Sequence, residues 1–392
     1  MLNALCLMQI FLYVFLAPIA REAFDNSEIQ YAYSLGLVFL IAFLISGLVV
    51  RQKSPTTTQN EAQFTLTLRA FGLMILWAFA YIAIAIEFGL INRRIGTHEA
   101  GALFASIPLS LLVFFRLYEV LLPLFLSLLV ARFFNAEKIS TIEIAATIIL
   151  VTSIGFSGAL YSRSQVAFLM VTVLVLTQNT VDKTTRRNLL ASAFFIALMF
   201  VATVTFYRWS SPEIYAGDEY FIQAFLERLD GLEVLSKLIK DGGIFWTGQN
   251  PDAIWPPLIS SIPMLPEAAE LKAAALTTVK ATLLYTEYGS LQGDINSFAM
   301  LDPYYWGGVV GLIFAGAFLG YVSKWVDKNI GQAKSKAIAA LQVAIACNIM
   351  IMEREYISML TNIVRDWIVI YGFLMCFVTM NEASLGTKVI AK

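Results

Sequence analysis

Along this chain, long apolar blocks alternate with short polar links. A helix needs about 20 apolar residues to cross roughly 30 Å of hydrocarbon. Blocks of that kind fall near residues 2–19, 31–50, 70–91, 103–134, 141–161, 165–178, 188–208, 304–325, 337–352 and 357–380. The block at 103–134 is too long for one straight crossing and contains Arg116 and Glu119, so it predicts an interfacial helix ending near Phe115 and a span from Leu117 to Phe133. The block at 165–178 is short, and its helix is expected to begin earlier, around Arg163. The first block, MLNALCLMQIFLYVFLAPIA, has small residues at Ala17 and Ala20 but no positive charge ahead of its apolar core, so it reads as a first span and not as a signal peptide. The pattern predicts an all-α polytopic membrane protein with about 10–11 transmembrane helices.

One polar link is much longer than the others. Residues 209–303 separate a bundle of about seven spans (1–208) from one of about three (304–392). In GDEYFIQAFLERLDGLEVLSKLIKDGG, apolar residues at 221, 222, 225, 226, 229, 232, 235, 238 and 239 have helical spacing, and Gly242–Gly243 stops the run. A Pro- and Trp-rich stretch follows, then a second predicted helix around 267–285. The loop is thus partly helical, with too few apolar residues for an independent core.

Charge sets the orientation. With ten crossings and both ends inside, the cytoplasmic side collects 14 lysines and arginines, and the short loops opposite hold five, namely Arg21, Arg93, Arg94, Arg163 and Arg354. Positive residues stay on the cytoplasmic side, so the 209–303 loop is expected in the periplasm of a bacterial inner membrane. Composition agrees with a bilayer environment. Apolar residues make up 58% and charged residues 14%, and mean hydropathy is +0.72, against about 45–50% apolar and about 25% charged in soluble domains. A net charge of −1 gives no reason to expect a nucleic-acid partner. Cys6, Cys347 and Cys376 lie far apart in apolar runs, and His98 is the single histidine, so no metal site is read. No Walker, Rossmann or hydrolase-elbow motif implies a cofactor.

Ionisable groups at membrane depth are costly and are kept for a purpose. Arg163, between the fifth and sixth blocks, reads either as a snorkelling anchor or as an anion ligand at a cavity mouth. Arg365 and Asp366 lie eight and nine residues into the last block, a depth of about 12 Å at about 1.5 Å per residue. Adjacent residues point about 100° apart on a helix, which leaves Arg365 either a functional group or one half of a structural pair with another helix. Glu353 and Arg354 sit just before that block. In the loop, Glu227, Arg228, Asp230 and Glu233 form either a solvated face or a charged site, and Trp209, Tyr215, Tyr220, Trp246, Trp255, Tyr285 and Tyr288 suit sugar stacking or a membrane-interface belt. Arginines grouped outside with carboxylates near them suggest a substrate that carries phosphate.

These features together resemble the oligosaccharide repeat-unit (O-antigen) polymerases of bacterial envelopes. SIGFSGALYSRSQVAFLMV resembles the family's Ser-Arg step between two mid-chain spans, with Tyr161 where many relatives have Gly. Glu227-Arg228-Leu229-Asp230 opens the large loop in a way similar to the family's Arg-x-Asp pattern, and LDPYYWGGVVGLIFAGAFLGYVSKWVDK resembles its Gly-rich span after the loop. The resemblance implies metal-independent glycosyl transfer outside the cytoplasm. The donor is a growing glycan on undecaprenyl pyrophosphate, and the acceptor is a new repeat unit on the same lipid. It implies pyrophosphate-binding roles for Arg163, Arg228, Arg365 and Arg354, and a general base at Asp230, with Asp294 and Glu287 as alternatives. A chain-length regulator is an expected partner. An O-antigen ligase shares this architecture, but such ligases have a late-loop histidine and 209–303 contains none. A lipid-linked sugar flippase would show an internal repeat, which the sequence lacks, and a purely structural scaffold leaves Arg365 unexplained.

Overall fold

The apolar blocks fold as helices, because a backbone in hydrocarbon must satisfy its own N–H and C=O groups. The computed structural model describes residues 1–16, 27–50, 63–66, 68–89, 107–135, 140–156, 163–178, 184, 187–188, 191–192, 232–240, 298–330, 333, 335–350, 352 and 356–381. In order, its elements are α1 (Leu2–Ile10), continued as a π-helical stretch (Phe11–Leu16), α2 (Ser27–Val49), β1 (Gln63–Leu66), α3 (Leu68–Glu87), α4 (Leu109–Asn135), α5 (Thr141–Phe156), α6 (Arg163–Thr177), α7 (Glu233–Lys240), α8 (Leu301–Asn329), α9 (Lys336–Ile349), α10 (Tyr356–Phe377) and β2 (Val378–Asn381). Among the described residues, five helices are long and apolar enough to cross a bilayer: Ile29–Val49, Ala70–Glu87, Leu109–Ala131, Leu301–Asn329 and Tyr356–Phe377. Leu2–Leu16, Thr141–Ser153 and Lys336–Ile349 are apolar but shorter. The helix of the 165–178 block does begin at Arg163, and the block at 188–208 lies almost wholly outside the described residues.

One expectation is corrected. The 103–134 block does not divide near Phe115, because α4 runs unbroken from Leu109 to Asn135 through Pro123. Arg116 and Glu119 do not end the helix; one turn apart, they pair with each other, Arg116 Nη1 donating to Glu119 Oε2 at 2.8 Å. The fold, although almost entirely helical, also contains an antiparallel strand pair, Gln63 opposite Asn381 and Leu66 opposite Val378.

Two compact units are present, one of residues 1–54, 211–328 and 344–365, the other of 55–210, 329–343 and 366–392. In the first, α8 meets α2 through Gly316 and Gly320, one turn apart. A Cβ at Gly316 would meet the Phe39 carbonyl, and one at Gly320 would meet the Phe43 carbonyl and the Ser46 hydroxyl. Lipid gives no hydrophobic drive between helices, so close backbone approach through small residues supplies the dispersion contact. Phe314 of α8 faces outward, 73% exposed, while Leu312, Leu319 and Val326 are buried. α7 packs against α2, and its Leu235 and Leu238 are buried. The start of α1 is capped from a distance, Asp327 accepting the Leu2 and Asn3 N–H groups at 2.7 and 2.9 Å. α8 kinks at Gly308 (φ 56°, ψ −137°), a conformation that only glycine adopts without strain.

In the second unit α3 packs on α4 and α5, and α4 packs on α6. Rings dominate the α3–α4 contact. Tyr81 stacks on Phe115 with centroids 4.2 Å apart, and Trp77 lies 5.0 Å from Phe114. Tyr118 and Ser153 share a buried hydroxyl–hydroxyl bond of 2.7 Å between α4 and α5. The strand pair puts the start of α3 and the end of α10 side by side.

Gly320→Val is expected to cost about 1–3 kcal/mol by overpacking, seen as a lower unfolding midpoint in detergent. Gly72→Ala, where an added Cβ meets nothing within 4 Å, is expected to leave that midpoint unchanged or slightly raised.

Candidate functional site

In the first unit, two buried polar side chains meet the backbone where α9 ends and α10 begins. Gln9 of α1 is 7% exposed. Its side-chain amide donates to the Met350 carbonyl at 2.7 Å and accepts the Met352 N–H at 3.2 Å. The Ile349 carbonyl, the last of α9, lies 3.9 Å from the Cys6 thiol. Asp302, 2% exposed, accepts the Ile357 N–H at 3.1 Å. It thereby satisfies one of the donors that a helix leaves open in its first turn.

Arg365 follows on the same helix, the tenth residue of α10, and is partly buried. Asp366 beside it is 5% exposed. Arg163 is the first residue of α6 and belongs to the second unit. Arg228, Asp230, Glu287, Asp294 and Arg354 lie outside the described residues. Gln9 and Asp302 were missed by the sequence reading. Their signals were an amide in an otherwise apolar block and an acid directly before Pro303.

A second polar group lies within α3 and α4. Glu119 accepts from Arg116 and, on its other oxygen, from the Tyr81 hydroxyl at 3.2 Å. The Glu119 side chain is 25% exposed and that of Arg116 54%. A carboxylate held by two donors next to stacked rings is well suited to keeping an arginine at membrane depth.

Among the described residues, five helices of bilayer length and apolar composition define a multi-pass helical membrane protein. Compared with protein-family models, curated proteins and solved structures, the chain matches none.

Removing one partner of a charge pair out of water costs more than removing both. Glu119→Leu is therefore expected to lower the detergent unfolding midpoint by more than the double variant Arg116→Leu/Glu119→Leu. Thermal melts of the three proteins side by side check this, and equal losses in both variants would show that the pair is not coupled.

Proposed function

We propose that the chain polymerises oligosaccharide repeat units carried on undecaprenyl pyrophosphate, on the periplasmic face of a bacterial inner membrane. The observation that carries this reading is Arg365, a partly buried guanidinium ten residues along an apolar helix. An arginine at that depth suits an anionic headgroup that must be bound out of bulk water. The topology proposed with it has ten crossings, both ends in the cytoplasm and the 209–303 loop outside. Two contacts support this topology. The β1–β2 pair requires an even number of crossings from α3 to α10, and the proposed path makes eight. Asp327 joins the start of α1 to the end of α8, which the proposed path puts on the same side.

In this reading the bond from the anomeric carbon to the lipid pyrophosphate breaks as the acceptor hydroxyl attacks. Negative charge then builds on phosphate oxygens. Arg365 supplies fixed positive charge to stabilise it, the role that the family resemblance implies for Arg163, Arg228 and Arg354 as well. Asp230 takes the proton of the acceptor hydroxyl, a role for which Asp294 and Glu287 are the alternatives. The growing glycan moves to the new repeat unit and undecaprenyl pyrophosphate leaves. The missing late-loop histidine favours this reaction over transfer to a lipid core.

Deletion of the gene is expected to replace the lipopolysaccharide ladder with a band of core plus one repeat. Wild type should restore the ladder. Arg365→Ala, losing about 10²–10³-fold in rate as oxyanion-stabilising groups do, should leave at most traces of it. Loss of every repeat from the core would point to ligation instead, and an unchanged ladder would contradict the glycan reading. Single cysteines placed at 217 and at 183 in a cysteine-free background are expected to react with an impermeant maleimide from outside at 217 and only after lysis at 183.

A further inference from the structure

The exposed stripe of α8 changes its chemistry in one direction. Val310, Phe314, Phe318, Tyr321, Lys324 and Lys328 recur at intervals of three and four residues and so share one side of the helix. The first four are exposed and the two lysines partly so. On the other side, Leu312, Leu319 and Val326 are buried. From Gly308 to the end of the helix the stripe is thus aliphatic and phenyl, then phenolic, then cationic. That order matches the path from the hydrocarbon of a bilayer, through the interface where tyrosine settles, to the phosphates. The length fits as well. From Val309 to Asn329 the helix rises about 30 Å, close to the roughly 30 Å of the hydrocarbon layer, and α8 is one of the helices long and apolar enough to cross.

The two lysines have no internal counter-charge. Neither has an ion-pair partner among the described residues. Asp327, the acid beside Lys328 in sequence, is turned to α1, where it accepts the Leu2 and Asn3 N–H groups. The helix terminus does not occupy the lysines either, since the final carbonyl of α8, that of Asn329, accepts from the Gln342 amide at 3.0 Å. Two cations one turn apart, at the end of an exposed apolar stripe, match a ligand that is anionic at one end and apolar along the rest.

We infer that this side of α8 binds an acidic glycerophospholipid of the surrounding bilayer, its phosphate held by Lys324 and Lys328 and its acyl chains laid on Phe314 and Phe318. A lysine ammonium attracts phosphate as a point charge. A phospholipid whose headgroup carries its own ammonium is neutral overall and brings a cation up to the two lysines, so the site favours the acidic headgroup. None of these residues has a part in the glycosyl transfer proposed above, and the site stands without that reading.

The test uses the full-length protein, delipidated in detergent and followed by native mass spectrometry. The probes are dioleoyl phosphatidylglycerol and dioleoyl phosphatidylcholine, which differ only in the headgroup. Wild type should bind phosphatidylglycerol more tightly. A basic residue at a bilayer surface contributes about fivefold, so Lys324→Gln/Lys328→Gln should lose roughly 25-fold of that affinity and little of its affinity for phosphatidylcholine. Lys324→Arg/Lys328→Arg, which keeps both charges, should bind as wild type does. Phe314→Ala/Phe318→Ala should weaken both lipids alike. Lys237→Gln/Lys240→Gln removes the same charge from α7 and should change nothing. Glycerol 3-phosphate, a phosphate without chains, should not displace the lipid. Equal binding of the two lipids by wild type would overturn the inference. So would a glutamine pair in α8 that binds as wild type does, or one in α7 that loses as much. Phenylalanine variants with unchanged affinity, or displacement by glycerol 3-phosphate, would show a site for soluble phosphate and overturn the lipid assignment.

Discussion

In hydrocarbon a backbone N–H or C=O without a partner costs several kcal/mol, because no water is present to take its place. Helices meet that requirement along their length and fail it at their ends, where four donors and four acceptors stay open. The described helix ends are closed both locally and from a distance. Ser140 and Glu143 form a reciprocal capping box at the start of α5, with bonds of 2.7 and 3.2 Å. Other partners, in the first unit, are distant in sequence. Asp327 closes the start of α1, Gln9 bridges the residues after α9, and Asp302 closes the start of α10. The first unit is thus tied together by the same bonds that end its helices.

Packing follows from the same solvent. Lipid tails are as apolar as leucine, so burying a large apolar side chain gains little, and helices instead approach through small residues. Gly316 and Gly320 let α8 touch the α2 backbone at Phe39 and Phe43, while Phe314 and Phe318 point outward. Where α3 and α4 meet, aromatic rings do the packing, and the Tyr81 and Tyr118 hydroxyls find partners in Glu119 and Ser153. These polar links give the helix contacts a fixed register that apolar packing alone leaves loose.

Much of this was legible in the sequence, for a simple reason. A span is signalled by length and hydropathy and needs no periodic pattern, so α2, α3, α8 and α10 stand within a few residues of their apolar blocks. The division of the 103–134 block misled because Arg116 and Glu119 were read as seeking water, whereas each finds its counter-charge one turn away. The strand pair could not be read, because four residues on either side carry no signal of a partner so far along the chain. At the candidate site, Arg365 was visible as a charge in an apolar block. Gln9 was not, because an uncharged amide barely disturbs hydropathy, and its importance appears only when the Met350 and Met352 backbone is found beside it. Asp302 was hidden by its place at the loop boundary, where an acid is unremarked.

The most direct test of the account is reconstitution. The purified full-length protein, in proteoliposomes supplied only with repeat units linked to undecaprenyl pyrophosphate, is followed by gel for glycan length and by chromatography for the released lipid. The account predicts a ladder of polymers with one undecaprenyl pyrophosphate released for each bond formed. Repeat units that stay single until a lipid-core acceptor is added, and then join it, would contradict polymerisation and identify a ligase.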